Sequence, residues 1–77
     1  MWIKPYDIAI LIKEVRVQLA LSQEDLAREI GVSYATVNRW ENGRFMPSKM
    51  ALRQIEAYFH RMIEMGRLLL PDERRLL

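Results

Sequence analysis

The segment Ser22–Arg44, SQEDLAREIGVSYATVNRWENGR, constrains the fold of this chain more than any other part of it. Within 23 residues it holds a helix start, a sharp turn, a second helix start and a helix stop. The Ser22 hydroxyl can accept from a free N–H of the following turn, and Asp25 three residues on can complete a capping box. Glu24 and Asp25 also favour the positive end of that helix. Leu26, Ala27 and Ile30 form its buried side. Gly31 stops it, because glycine takes the left-handed conformation without steric cost. Ser33 caps the next helix, Val37 and Trp40 turn inward from it, and Asn42-Gly43 ends it. Two short helices crossing steeply leave little room at their contact, and Ala27 supplies the small side chain that permits the approach.

Helical periodicity extends to both sides, and no stretch alternates apolar and polar residues for long. Ile8, Leu11, Ile12, Val15 and Leu19 form the stripe of a first helix, expected at about 5–20 with Pro5 in its first turn. Residues 42–47 form a loop, and Ser48 caps a fourth helix. The apolar stripe of that helix is Met50 or Ala51, Ile55, Phe59, and Met62 or Ile63. Nothing breaks it before Gly66, so it runs about 49–65 as one helix or bends near His60. The expected domain is residues 1–66, with 67–77 as a tail that is frayed or docked by its leucines.

Composition narrows the classes of function. At 77 residues the chain holds one small domain, and with no cysteine it has neither disulfides nor thiolate metal sites. Its core must come from apolar packing, extended in one reading by dimerisation. No apolar run reaches 18 residues, and the N-terminal stretch carries Asp7, Lys13 and Glu14 without a small-residue cleavage site. The expected compartment is the cytoplasm, with no membrane partner. No Walker loop, Ser-His-Asp set or metal-ligand spacing occurs, and His60 stands alone. The chain is therefore expected to be no enzyme, with no cofactor and no metal.

The outer side of the third helix is chemically unusual. It presents Ser33, Tyr34, Ala35, Thr36, Asn38 and Arg39, with no acid until Glu41. A helix exposed only for solubility carries Glu and Lys instead. A face free of acids can approach phosphates and base edges without charge repulsion. Residues 1–38 hold four Lys/Arg against five Asp/Glu, and residues 39–77 hold eight against five. The basic excess starts at Arg39 and continues through Arg44, Lys49 and Arg53. Such a face suits phosphate binding, but charge spacing by itself is more commonly that of a solvated helix surface.

The run RVQLALSQEDLAREIGVSYATVNRWENGR, residues 16–44, resembles the Cro/phage-repressor (Xre-type) helix-turn-helix DNA-binding family. Gln23, Ala27, Gly31, Val37 and the Trp40-Glu41-Asn42-Gly43 ending carry the resemblance. It implies an all-α fold, a compact lambda-repressor-like bundle of four to five helices, here with a long fourth helix. It also implies that the helix at 33–41 reads the major groove of double-stranded DNA.

Roles follow from the resemblance position by position. Gln23 is expected to reach a phosphate, or to serve only the helix start. Ser33 approaches the backbone while capping its helix. Tyr34, Ala35 and Arg39 match positions facing base edges, with Thr36 and Asn38 beside them. Arg39 suits a bidentate contact to guanine, or else is a phosphate contact or a surface charge. The Ala35 methyl packs on a thymine methyl or is a neutral spacer. Tyr34 replaces the glutamine often found there and cannot make its bidentate adenine contact, so known operators do not transfer. Asn42 and Arg44 match phosphate-contacting positions. Arg16 and Glu41 match a salt bridge tying the first helix to the end of the third, a structural pair rather than a DNA contact.

The family fold usually has a fifth helix after a glycine-containing turn, whereas this chain runs unbroken to Gly66, and one extended helix is expected to project beyond the compact bundle. Tyr58, Phe59, Met62, Met65 and Leu68–Leu70 exceed what four helices are expected to bury. They are the expected homodimer interface, the alternative being a monomer whose tail folds back over the core. The expected function is a sequence-specific transcriptional regulator, a small repressor or antitoxin-like autoregulator with a toxin as a candidate partner. The alternative is a protein-interaction module that keeps the fold without specific DNA binding.

Overall fold

A computed structural model describes residues 4–69 as four helices in sequence order. Helix α1 spans Pro5–Gln18, α2 Gln23–Ile30, α3 Tyr34–Asn42 and α4 Lys49–Glu64. Pro5 occupies the first turn of α1, and the Asp7 carboxylate accepts from the Lys4 N–H at 3.1 Å. The first helix stops two residues short of its expected end because Ala20 adopts a left-handed φ of 57°. The Leu21 N–H then reaches back to the Arg16 carbonyl at 2.9 Å and closes the turn.

The three serine caps form as expected. Ser22 Oγ accepts from Asp25 N at 3.0 Å, and Asp25 Oδ2 accepts from Ser22 N at 3.1 Å, a reciprocal capping box. Ser33 Oγ accepts from Thr36 N and Ser48 Oγ from Ala51 N, each at 3.1 Å. Gly31 (φ 96°) and Gly43 (φ 74°) both turn left-handed where α2 and α3 end.

The core joins all four helices. Ile8, Leu11, Ile12 and Val15 of α1 meet Leu26 and Ala27 of α2, Val37 and Trp40 of α3, and Ile55, Phe59 and Met62 of α4. Each large aliphatic side chain taken fully out of water contributes about 1.5–3 kcal/mol before chain entropy is charged against it. α3 packs on α1 and α2, which makes it the wedge of the bundle. α4 is one continuous helix through His60, and of its alternative stripe residues Ala51, Met62 and Ile63 pack on the core while Met50 is exposed.

Two expectations about α4 need correction. Tyr58, Phe59 and Met62 are buried within a single copy, so they are not surplus surface awaiting a dimer partner. The helix also does not run on past the bundle. The chain turns at Gly66, whose φ is 74°, and folds back so that Leu68 is fully buried. Gln18 of α1 holds the returning chain with both ends of its amide: Nε2 donates to the Leu69 carbonyl at 2.6 Å and Oε1 accepts from Leu69 N at 3.1 Å. Four helices suffice for this core because the segment after α4 adds a side chain to it. Of the expected interface, Met65 and Leu69 are exposed, and Leu70 lies outside the described residues. The rest of the expected tail, through Leu77, lies outside them as well.

The Tyr58 hydroxyl donates to Glu29 Oε1 at 2.5 Å, joining α4 to α2, and the Arg61 guanidinium lies 5.7 Å from the Tyr58 ring centre. Burial first, and then this hydrogen bond, push the Tyr58 hydroxyl above its ordinary pKa. No helix among the described residues is long and apolar enough to cross a membrane.

Candidate nucleic-acid interface

The first two turns of α3 divide their side chains between core and water. Val37 and Trp40 are buried, Arg39 between them is exposed, and Asn38 is half-buried. Tyr34 is 51% exposed, and Ala35 and Arg39 are exposed beside it. Ser33 lies just before the helix, where its hydroxyl is also 2.9 Å from that of half-buried Thr36. Asn42 and Arg44, at the far end, are exposed. The structure thus brings Ser33, Tyr34, Ala35, Thr36 and Arg39 onto one helix and its cap, with Asn42 and Arg44 following.

Glu41, the acid of α3, is withdrawn from that surface. Its side chain is 6% exposed, and Arg16 of α1 donates to it twice, Nε to Oε2 at 2.8 Å and Nη2 to Oε1 at 3.1 Å. The expected salt bridge therefore forms in bidentate geometry. A third bond, from Arg16 Nη1 to the Leu21 carbonyl at 3.3 Å, ties the same guanidinium to the turn before α2. The Arg16 pKa rises above its ordinary value chiefly through the hydrogen bond to Glu41, while burial opposes the rise.

Two residues expected at the DNA surface have partners inside the protein. Gln23 sits half-buried at the first position of α2, where Nε2 donates to Glu41 Oε1 at 3.0 Å. Its Oε1 accepts from Asn38 Nδ2 at 3.2 Å. Arg16, Glu41, Gln23 and Asn38 form one polar chain running from α1 through the end of α3 to the start of α2 and back to α3. Pairings so far apart in sequence, 15 residues for Gln23 and Asn38 and 18 for Gln23 and Glu41, leave no local signal.

Sequence spacing also misses a groove beside the exposed face of α3. It encloses about 600 Å³ and is lined by Thr36, Arg39 and Trp40 on one side and by Phe45, Met46 and Ala51 on the other. Phe45 is 62% exposed. The signal available was the apolar pair Phe45-Met46 inside an otherwise polar connection.

A helix-turn-helix family model matches residues 12–61, which include α2, α3 and the residues of the polar chain. A type II methyltransferase, M1.ScrFI of Lactococcus lactis subsp. cremoris, is 40% identical over 52 residues, covering 64% of this chain and 13% of the methyltransferase. An HTH-type transcriptional regulator of Methanothermobacter thermautotrophicus is 42% identical over 45 residues, covering 58% of this chain and 65% of that protein. The chain thus spans less than two thirds of the length of either relative. No solved structure gives a significant match. With the matched region covering most of the chain and its four helices in place, the chain belongs to the Cro/phage-repressor (Xre-type) helix-turn-helix family, a family of DNA-binding regulatory domains.

Proposed function

We propose that the chain is a sequence-specific transcriptional regulator of the small repressor or antitoxin-like kind, which sets α3 into the major groove. The observation that carries this is the acid-free outer face of α3, with its glutamate turned inward onto Arg16. The exposed Tyr34, Ala35 and Arg39 are the base-facing set. Ser33, Thr36, Asn42 and Arg44 surround them as contacts to the phosphate backbone, and Gln23 adds one from α2. Backbone contacts of this kind set register and orientation, while base edges carry the sequence information.

Two copies on a near-palindrome would place their recognition helices about 34 Å apart on successive major grooves. Met65 and Leu69, both exposed, are what remains of the expected contact between copies. Sedimentation at micromolar concentration, with and without a palindromic duplex, tests the pairing; a monomer in both states refutes it.

Selection of bound sequences from a random DNA pool tests the main proposal. A defined site should emerge, and its affinity should fall steeply with salt. Arg39→Ala should relax preference at one position, whereas Arg44→Ala should weaken all sequences alike and lower the salt slope by about one. A pool that shows no enrichment sinks the proposal.

A second reading, a protein-interaction module, rests on a different face. Tyr6, Ile10 and Val17 of α1 are 67%, 46% and 68% exposed and lie on one helical stripe opposite the core. Loss of binding to a protein partner on Ile10→Glu, with no sequence enriched from the DNA pool by the parent chain, would favour it.

A further inference from the structure

Gln23 is a proposed phosphate contact whose amide is already bonded at both ends inside the protein. A primary amide carries two N–H donors on one side and a carbonyl on the other, so it has a polarity that its neighbours can set. Arg16 offers donors alone, and it holds Glu41 as an acceptor. Glu41 therefore requires the nitrogen side of the Gln23 amide, at 3.0 Å. That choice turns the Gln23 carbonyl to Asn38, whose own amide answers with its nitrogen at 3.2 Å. Reversing Gln23 would set its oxygen against the Glu41 carboxylate, acceptor against acceptor. The order of donors is thus passed along four side chains from α1 to α3.

We propose that Asn38 and Glu41 are positioning residues for Gln23, fixing its amide so that the second Nε2 hydrogen is the donor offered to a DNA phosphate. Asn38 then serves DNA binding through Gln23 and makes no base contact of its own. The proposal rests on the DNA-binding function set out above and gives Asn38, expected from the sequence beside the base-facing residues, a different task. A phosphate oxygen accepts and never donates, so an amide free to flip would spend part of its time presenting the wrong group. Holding the correct orientation before DNA arrives removes that loss.

A double-mutant cycle on a selected duplex, read as affinity at fixed salt, tests this. Gln23→Ala should weaken binding about tenfold, the scale of one hydrogen bond to a charged acceptor. Asn38→Ala should weaken it several-fold and leave the selected sequence unchanged. The double variant should bind no more weakly than Gln23→Ala alone. An Asn38→Ala loss of the same size in both backgrounds, or a shift in base preference, overturns the proposal while leaving the DNA-binding function standing. Failure of the unaltered chain to bind any duplex overturns both. The side-chain amide signal of Gln23 in a ¹⁵N spectrum provides a test that needs no variant. It should move on addition of duplex, and a signal that stays in place also overturns the assignment.

Discussion

Replacing Arg16 by methionine removes both charged hydrogen bonds that Glu41 receives from α1 and leaves its carboxylate in place. Glu41 would keep one donor, Gln23 Nε2 at 3.0 Å, on an oxygen it now shares with Arg16. The other oxygen would have no partner in a side chain that is 6% exposed. Breaking a fully buried pair costs roughly 3–5 kcal/mol, because a desolvated charge stays behind. Arg16 is itself 19% exposed, so water reaches the vacated space and the expected cost falls to about 2–3 kcal/mol. A domain of this size has a total stability on the order of 4–11 kcal/mol and loses about 4–8 °C in melting temperature per kcal/mol. The expected drop for Arg16→Met is therefore roughly 10–20 °C, measured by circular dichroism at neutral pH. Adding Glu41→Leu should recover part of it, since the pair is then replaced by apolar groups and no orphaned charge remains. An unchanged melting temperature for Arg16→Met, or a double variant less stable than the single, refutes the reasoning.

Three further outcomes follow from the fold. Gly31→Ala and Gly43→Ala both place a side chain at positive φ, but an added Cβ meets nothing within 4 Å at Gly31, whereas at Gly43 it lies 3.4 Å from Ala9 Cβ. Denaturant unfolding should show a loss of about 1–2 kcal/mol for each, because 3.4 Å is an ordinary van der Waals distance and both losses come from the positive φ; a distinctly larger loss at Gly43 would contradict this. The Asp25 carboxylate is held below the usual range first by the Ser22 N–H, then by the Ser22 hydroxyl and Arg28. Its contribution to stability is therefore present above about pH 4 and lost as pH falls through the depressed value, so Asp25→Asn should flatten the acid limb of a stability-pH curve, and an identical limb contradicts this. Tyr58 shifts the other way: its raised pKa makes its contribution present below about pH 10 and lost as pH climbs past it. Tyr58→Phe should unfold less steeply with alkali than the parent chain, as followed by tryptophan fluorescence.

Local chemistry made much of this fold legible. The caps at Ser22, Ser33 and Ser48 and the stops at Gly31 and Gly43 depend on neighbours within a few residues, so short-range spacing reveals them. The buried stripes of α1 and α3 follow from helical period in the same way. The fate of Tyr58 depends on Glu29, 29 residues away, and the fate of Leu68 on a turn that brings it back to the core. Neither distance is visible in a stripe pattern, which is why surplus apolar residues on one stripe look like an interface. Ala20 ended α1 early although nothing in its side chain favours a left-handed turn. At the candidate site, outward placement of Tyr34, Ala35 and Arg39 was legible from the period of α3. The Arg16–Glu41 pair was legible only through resemblance. The coupling of Gln23 to Asn38 was legible from neither, because side-chain amides bond to whatever the fold brings to them.

α1 meets the end of α3 twice. Ala9 lies against Gly43, and two turns further along Arg16 holds Glu41. Val37 and Trp40 already seat the recognition helix in the core. Two contacts, spaced along a single rod, add to that hold. The angle at which Tyr34 and Arg39 face outward is thus inherited in part from a helix that supplies none of the proposed DNA contacts. A recognition helix transplanted from a relative would keep this added hold only if it brought a glutamate and a glycine in the same register. Exchange of specificity between members of the family is then a matter of matching hinges as well as exchanging teeth.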